Sequence, residues 1–277
     1  MKIFEHRDTK IYNGDCLEVM KLLPEHGIDV ILTSPPYNTT SSHQTDNLVN
    51  EDGTIRDTNF SIRYDVYVDK RTNEEYYDFT QELFENFDRI LKPNGSILYN
   101  ISYGIENIDC MFGAINRIIT ETNFTIADVL IWQKPTAIPN NVSSNKLTRY
   151  TEFVFVFSRK SEYSTFYCNK PVTSYRVGTS QPMYANISNI ITAKNNDGPC
   201  PFNRATFSSE LCEKLLDLYA PDVAVVYDPF MGTGTTAVAC QRRFATCYGS
   251  ELSENQCKWA IDRLEKEDNY VKMLDLI

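Results

Sequence analysis

Two glycines late in the chain stand where a strand pattern meets a helix pattern. Gly232 and Gly234 lie in the run VAVVYDPFMGTGTTAVA, after an apolar stretch. Glycine lets the backbone pass close to a ligand, and the free N–H groups of a helix start favour an electron-rich group. Glu251 follows nineteen positions after Gly232, at the end of the next predicted strand, where an acid can accept both hydroxyls of a ribose. This spacing predicts a site for an adenosine-bearing cofactor.

The glycine pattern has three competing interpretations. A tight strand-to-helix turn with no ligand is the plain alternative. A P-loop is disfavoured because no Gly-Lys-Ser/Thr follows. A nicotinamide dinucleotide enzyme is the serious rival, but its fold normally has several strands after the fingerprint, and here only one strand and one helix follow. The rest of the sheet must therefore come from earlier in the chain.

A second candidate site is the run TSPPY at positions 33–37, which leaves the apolar, β-branched stretch 28–33. Open α/β sheets bind ligands at the carboxyl ends of such strands. The two prolines remove N–H donors, so the nearby carbonyls stay available as acceptors, and Ser34 adds a hydroxyl acceptor. Tyr37 offers a flat ring. These groups suit a planar substrate with an exocyclic amino group, although a rigid turn with no ligand is the plain alternative.

The elements that must hold these two runs alternate between strand and helix. A helix is predicted at 14–27, where Asp15 can cap the first turn, and IDVILT before Ser34 suits a strand buried on both faces. The later elements are predicted as a helix at 76–91, a turn at 92–95, strands at 96–101, 124–132 and 150–158, and then helix, strand, helix, strand and helix after residue 205. This alternation indicates an α/β fold, a Rossmann-like, mostly parallel sheet with helices on both faces.

Length and composition favour a single domain over residues 1–277, since 42% of the side chains are hydrophobic and single cores stop growing at roughly 250 to 300 residues. The polar stretch 38–63 is predicted to be a mobile loop. No run approaches the roughly 18 to 20 apolar residues that cross a bilayer, so we expect no membrane association and a cytoplasmic location. The eight cysteines and three histidines are scattered, so no metal site is expected.

Charge is unevenly distributed along the chain. The net charge is −10, yet residues 133–204 hold nine basic and three acidic side chains. An acidic protein with one basic segment is typical of an enzyme that meets nucleic-acid phosphates on one face, although an ordinary solvated region would look similar. Within this segment the regular pattern is lost at 160–198, which is predicted to be an inserted target-recognition region.

The combination of TSPPY, the later DPFMGTGTT and the strand-terminal GSE resembles the amino-methyltransferases of DNA. Those enzymes use S-adenosylmethionine to methylate N4 of cytosine or N6 of adenine. The order of the motifs is similar to that of their β group, in which the sheet is circularly permuted. The resemblance implies double-stranded DNA as partner, with the target base rotated out of the helix, and leaves open a homodimer and a cognate restriction endonuclease.

The resemblance also implies roles for individual residues. The catalytic residues would be Ser34, Pro35, Pro36 and Tyr37. The cofactor-binding residues would be Asp15, Cys16, Thr33, Thr206, Phe207, Asp228, Pro229, Phe230, Gly232, Gly234, Thr235, Thr236 and Glu251. Family members carry prolines where Arg204 and Ser208 stand, which leaves the contacts of Thr206 and Phe207 open.

The expected reaction is a direct methyl transfer without a covalent intermediate. The Ser34 hydroxyl and the Pro35 carbonyl would accept the two amine hydrogens and aim the nitrogen lone pair at the methyl group, while Tyr37 would stack on the base. Within the family that the chain resembles, serine before Pro-Pro-Tyr favours cytosine N4, with adenine N6 as the alternative. A non-catalytic subunit that binds DNA or S-adenosylmethionine, and a nicotinamide-dependent oxidoreductase, are more remote alternatives.

Overall fold

The computed structural model describes residues 1–38, 71–103, 107–137, 139–141, 143–203 and 206–274. Nearly all of the predicted loop 38–63 therefore lies outside the described residues. The strands are β1 (Lys2–His6), β2 (Thr9–Asn13), β3 (Ile28–Thr33), β4 (Leu91–Ile101), β5 (Phe124–Gln133), β6 (Thr151–Arg159), β7 (Val172–Tyr175), β8 (Pro182–Tyr184), β9 (Ile190–Thr192), β10 (Val225–Asp228) and β11 (Thr246–Glu251). The helices are α1 (Cys16–Met20), α2 (Asn73–Ile90), α3 (Ile108–Glu121), α4 (Ser209–Tyr219), α5 (Thr235–Arg242) and α6 (Glu254–Leu274).

Nine of the strands form one sheet in the order β1-β2-β11-β10-β3-β4-β6-β5-β9. The central strands β2, β11, β10, β3 and β4 run parallel to one another, and β9 is parallel to β5. The antiparallel pairs are β1 with β2, β4 with β6, and β5 with β6. The predicted fold class, a mostly parallel Rossmann-like sheet in permuted order, is confirmed.

Side chains of the central strands pack into two hydrophobic cores on opposite faces of the sheet. Val30 and Leu32 of β3 pack with residues of α4, α5 and α6. Ile28 and Ile31 pack instead with residues of α1, α2 and α3. Because a strand buried on both faces must be apolar at every position that meets a helix, the run IDVILT is explained by its place in the middle of the sheet.

Strands β3 and β10 are neighbours although they lie far apart in the chain. Val30 pairs with Val226, and Ile31 pairs with Tyr227. From β3 the next parallel strand is β4 on one side, and from β10 it is β11 on the other. The connections thus diverge between β3 and β10, which opens a crevice beyond their carboxyl ends.

Several local features differ from the sequence prediction. The helix predicted at 14–27 is shorter and spans Cys16–Met20, and α3 has no counterpart in the sequence prediction. Helix α2 begins at Asn73 because Thr72 and Glu75 form a capping box. The predicted turn at 92–95 is an irregularity within β4, where pairing with β3 jumps from Leu91 to Ser96. The predicted insertion 160–198 contains the two-stranded β7–β8 sheet and also β9, which joins the edge of the main sheet.

None of the helices in the described ranges has an apolar stretch long enough to span a bilayer.

Candidate active site

A buried hydrogen bond joins the ends of β3 and β10. The Thr33 Oγ1 donates to Asp228 Oδ1 over 2.8 Å, across 195 positions of sequence. Both residues are buried, and each is the last residue of its strand. The TSPPY run and the glycine turn therefore leave the sheet side by side, as the topology requires.

Asp228 organises the turn that follows it. Its Oδ2 accepts from Thr236 Oγ1 over 2.6 Å, and its Oδ1 also accepts from the Phe230 N–H over 3.0 Å. Burial raises the pKa of the Asp228 carboxyl to about 6, although the hydrogen bonds from Thr236, Phe230 and Thr33 oppose this rise. The start of α5 lies next to this carboxylate, where the helix dipole favours negative charge.

Backbone conformation favours glycine at both positions of the turn, and lack of space also requires it at Gly234. Gly232 has φ +54° and Gly234 has φ +80°, both in the left-handed region. A Cβ on Gly234 would lie 2.5 Å from the Cβ of Ala260 in α6. A Cβ on Gly232 would approach the Asn203 and Gln256 side chains at 3.4 and 3.5 Å. Gly232, Asn203 and Gln256 all line one cavity, so a side chain at position 232 would intrude into it.

Glu251 is held in place by backbone donors. Its Oε2 accepts from the Gly232 N–H over 2.9 Å, and its Oε1 accepts from the Ser253 N–H over 2.8 Å. Its own carbonyl accepts from the Gly14 N–H over 3.0 Å, which ties β11 to the turn before α1. The carboxylate is therefore fixed in orientation at the end of β11.

The TSPPY run, the glycine turn, the end of β11 and the turn before α1 all contribute to one cavity at the crevice between β3 and β10. It is lined by Gly14, Asp15, Cys16, Ser34, Pro36, Arg71, Phe79, Asn203, Thr206, Phe207, Pro229, Phe230, Met231, Gly232, Thr233, Thr235, Ser250, Glu251, Leu252 and Gln256. Most of the predicted cofactor and catalytic residues are therefore brought together around one space. The cavity lies where ligands bind in open α/β sheets.

The remaining predicted cofactor residues lie beneath or beside the cavity and do not line it. Thr33, Asp228 and Thr236 are buried under it and joined by the hydrogen bonds of the Asp228 carboxylate. Gly234 packs against α6. Asp15, which does line the cavity, also caps α1 as predicted, because its Oδ1 accepts from the Leu17 N–H over 2.9 Å.

The diproline turn is held in place by a hydrogen bond to Pro36 and by the packing of Tyr37. The Pro36 carbonyl accepts a 2.7 Å hydrogen bond from the Tyr76 hydroxyl of α2, and Pro35 is buried. The Tyr37 ring packs against the α1–α3 core, and its hydroxyl lies 2.9 Å from Ser34 Oγ. Because neither Pro35 nor Tyr37 is among the residues that line the cavity, the acceptor role of the Pro35 carbonyl and the stacking of Tyr37 on a base stay predictions.

Several residues of the site carry no local signal in the sequence. Asn203 donates to Gln256 Oε1 over 3.0 Å at the floor of the cavity, and the Arg71 guanidinium lies 3.9 Å above the Phe79 ring at its wall. Arg263 of α6 donates to the Thr233 carbonyl over 2.9 Å and so supports the glycine turn from behind. Each is brought to the site by tertiary packing and not by a motif.

The fold and this cavity define an α/β protein that can bind a ligand between two strands whose connections diverge. A family model, N6_N4_Mtase, described as DNA methylase, matches residues 28–262. The chain belongs to this DNA methylase family.

Individual relatives agree with the family assignment. The type II methyltransferase M.BglII of Bacillus subtilis is 23% identical over 280 residues, which cover 94% of this chain and 69% of that protein. PvuII DNA methyltransferase, whose structure is described as cytosine-N4-specific, aligns with a TM-score of 0.66 at 20% identity and covers 96% of this chain and 93% of its own. The M1.HpyAVI-SAM complex aligns with a TM-score of 0.57 at 20% identity, covering 92% and 99%. At these identities the two structures show a shared fold.

Proposed function

We propose that the protein transfers a methyl group from S-adenosylmethionine to the exocyclic amine of a base in double-stranded DNA, with cytosine N4 as the favoured target. The observation that carries this proposal is the Thr33–Asp228 hydrogen bond. It holds the proposed amine-binding turn and the proposed cofactor turn at one crevice, which a transfer between two bound molecules needs.

The residues around the cavity fit this cofactor. Glu251 is oriented by backbone donors at the end of β11, where a carboxylate can accept ribose hydroxyls, and Gly232 has no side chain to fill the space beside it. Among the described residues that line the cavity, the acids are Asp15 and Glu251 and the one basic side chain is Arg71. This balance suits a cationic sulfonium better than the pyrophosphate of a nicotinamide dinucleotide, which favours cationic partners.

The proposed chemistry relies on orientation. When bound, S-adenosylmethionine supplies an electrophilic methyl group. The target amine is a poor nucleophile because its lone pair is delocalised into the ring. Ser34 Oγ and the Pro35 carbonyl accept hydrogen bonds from its two N–H groups and favour the geometry in which the lone pair is free to react. Transfer would break the methyl–sulfur bond, leave a neutral thioether on the cofactor and release one amine proton to solvent. The Tyr76 bond to Pro36 keeps these acceptors in place.

The proposed DNA-binding face uses the exposed basic side chains of segment 133–204, which include Lys146, Lys170, Arg176 and Lys194. Lys134 and Arg159 of the same segment are instead paired with acids inside the fold. The β7–β8 hairpin of this segment is exposed, and the Arg176 N–H donates to the Gln181 carbonyl over 2.9 Å across the turn. Side chains at such a turn are free to contact phosphates and base edges in a groove. Because a base amine is hidden in a duplex, the target nucleotide is rotated into the cavity. A homodimer and a companion restriction endonuclease stay predictions.

Identification of the methylated nucleoside tests this function directly. Purified protein is incubated with methyl-labelled S-adenosylmethionine and unmethylated double-stranded DNA, the DNA is digested to nucleosides, and labelled products are identified by mass spectrometry. We expect N4-methylcytosine, and Ser34→Ala protein serves as the control. Labelled N6-methyladenine would move the target to adenine. Absence of label in DNA, with cofactor binding intact, would support a non-catalytic binding protein instead.

A further inference from the structure

The hydroxyl of Tyr37 lies among three polar side chains from three different strands or their ends. Besides Ser34, it contacts Asn100 Oδ1 of β4 and Glu152 Oε2 of β6, each at 3.2 Å. The reaction proposed above uses neither Asn100 nor Glu152. Both residues reach the hydroxyl because β4 and β6 pair antiparallel, with Asn100 opposite Val154.

The partners of Tyr37 determine the direction of its hydrogen bond. The Asn100 amide donates through Nδ2 to the Phe153 carbonyl over 3.0 Å, so its oxygen faces Tyr37. A carboxylate oxygen of Glu152 is likewise an acceptor. A tyrosine hydroxyl has one hydrogen, which these two acceptors draw away from Ser34.

This direction fixes the role of Ser34. With its hydrogen directed to Asn100 or Glu152, the Tyr37 oxygen becomes the acceptor for the Ser34 hydroxyl hydrogen. The Ser34 oxygen then presents lone pairs, and not a hydrogen, to the cavity that it lines. Such a hydroxyl is an acceptor for a substrate N–H, which an amine substrate requires.

Glu152 is itself held in a defined orientation. Lys134 Nζ donates to its other oxygen, Oε1, and both side chains are largely buried. The same Nζ lies 4.5 Å from the centre of the Trp132 ring. One carboxylate oxygen is thus engaged by a lysine, and the second is turned towards Tyr37.

We propose that Glu152 is a positioning residue that acts through Tyr37 to make Ser34 a hydrogen-bond acceptor for the target amine. This inference rests on the proposed function and adds to it a residue that touches neither cofactor nor base. Asn100 shares the task, and Lys134 keeps Glu152 in place.

The test compares Glu152→Gln with wild-type protein in the methyl-transfer assay. In the variant, the amide oxygen remains the better partner for Lys134, so the NH2 group turns to Tyr37, and one acceptor for the tyrosine hydrogen is lost. We expect kcat to fall by about 10- to 100-fold, the range that misplacement of a reacting group produces, with cofactor Kd and DNA KM unchanged. Tyr37→Phe, which removes the hydroxyl, should have a similar effect and serves as an independent variant if Glu152→Gln does not fold.

A matched control lies just beyond the other end of β6. Glu162 has a similar side-chain exposure, 18% against 16% for Glu152, and is paired with Arg159. Glu162→Gln should leave kcat unchanged.

A double-mutant cycle separates positioning from a merely structural role. If Glu152 acts through Ser34, adding Glu152→Gln to Ser34→Ala should cause no further loss of kcat, because the acceptor is already gone. An additive loss, an unchanged kcat in the single variant, or an effect confined to DNA KM would each overturn the inference. Failure of wild-type protein to methylate any DNA would instead overturn the proposed function.

Discussion

The two walls of the cavity are built in different ways. On the glycine-turn wall, formed by β10, α5 and β11, the carboxylates of Asp228 and Glu251 bond to backbone N–H groups two residues further along the chain. On the TSPPY wall, which meets the cavity at Ser34 and Pro36, the Tyr37 side chain bonds to side chains of β4 and β6 that lie 63 and 115 positions away in the sequence. Each carboxylate of the first wall has a backbone donor two residues away, besides the bonds from Thr33 and Gly232, whereas the Tyr37 hydroxyl depends on the pairing of distant strands.

This contrast suits the two molecules that the walls are proposed to bind. A cofactor has one constant structure, so side chains that are oriented by backbone N–H groups in fixed positions can bind it. An amine that must be activated needs an acceptor with a defined hydrogen-bond direction, which a network of hydroxyl, amide and carboxylate groups supplies. Substitutions on the TSPPY wall should therefore lower turnover, and loss of Glu251 on the glycine-turn wall should weaken cofactor binding.

The largest effect is expected from Ser34→Ala on the TSPPY wall. Loss of a preorganised polar contact to the reacting group reduces turnover by about 10² to 10³-fold. Cofactor affinity should be nearly unchanged because no hydrogen bond to the glycine-turn wall is removed. Methyl transfer at saturating cofactor and calorimetric titration measure the two quantities. Ser158→Ala, a buried serine at the far end of β6, is the control, and unchanged turnover in Ser34→Ala would remove this hydroxyl from the mechanism.

Gly234→Ala should affect folding more than chemistry. The new Cβ would lie 2.5 Å from the Ala260 Cβ, at a backbone φ of +80°, so overpacking and left-handed strain together cost about 3 kcal/mol of stability. Urea denaturation measures the change. Gly178→Ala is the matched control, because Gly178 has φ +77° with nothing within 4 Å, and only the conformational strain of about 1 kcal/mol should appear. Equal losses at both positions would show that the α5–α6 contact is unimportant.

Glu251→Ala should weaken cofactor binding. Removing a charged acceptor of hydrogen bonds lowers affinity by about 2 kcal/mol, or roughly 30-fold. At saturating S-adenosylmethionine kcat should change little, which is the opposite of Ser34→Ala. Calorimetry gives the affinity, and Glu254→Ala, an exposed acid three positions further on, is the control. A fall in kcat without a fall in affinity would contradict the division between the walls.

The smallest effect concerns the dependence of stability on pH. The pKa of Asp228 is raised by burial to about 6 from an ordinary 3.8, so the folded protein binds this proton more tightly than the unfolded chain. Its contribution to stability is complete below pH 3.8 and is lost as the pH rises through 6. Since a pH of about 5 lies one unit below the folded value, the protein gains about 1.4 kcal/mol from this group between about pH 8 and pH 5.

Asp228→Asn isolates that contribution. The gain in unfolding free energy between about pH 8 and pH 5, measured by urea denaturation, should be smaller in the variant by about the same 1.4 kcal/mol. An identical pH dependence in the two proteins would mean that another group is responsible.

The difference between the walls also explains what the sequence can predict. The strand IDVILT, the cap at Asp15 and the glycine turn with Glu251 are local patterns, and the structure brings the two turns and the cap to one cavity. Asn100 and Glu152 carry no such pattern, because their importance depends on the register between β4 and β6.

Two elements show where local sequence patterns are too weak to predict secondary structure. The predicted start of α2 lies three residues too late, since the apolar spacing begins at Tyr76 while the helix is started by the polar capping box of Thr72 and Glu75. Strand β9 is absent from the sequence prediction because three residues are too few for a periodic signal. Both elements depend on hydrogen bonds that hydrophobic periodicity does not report.

The adjacency of β3 and β10 has a consequence during protein synthesis. Until the ribosome has made β10, one edge of β3 has no neighbouring strand, and its backbone groups are open to other chains. Partly synthesised or truncated molecules that stop before Val225, the first residue of β10, should therefore aggregate readily. Overproduction of the protein should benefit from slow translation or from chaperones that shield that edge.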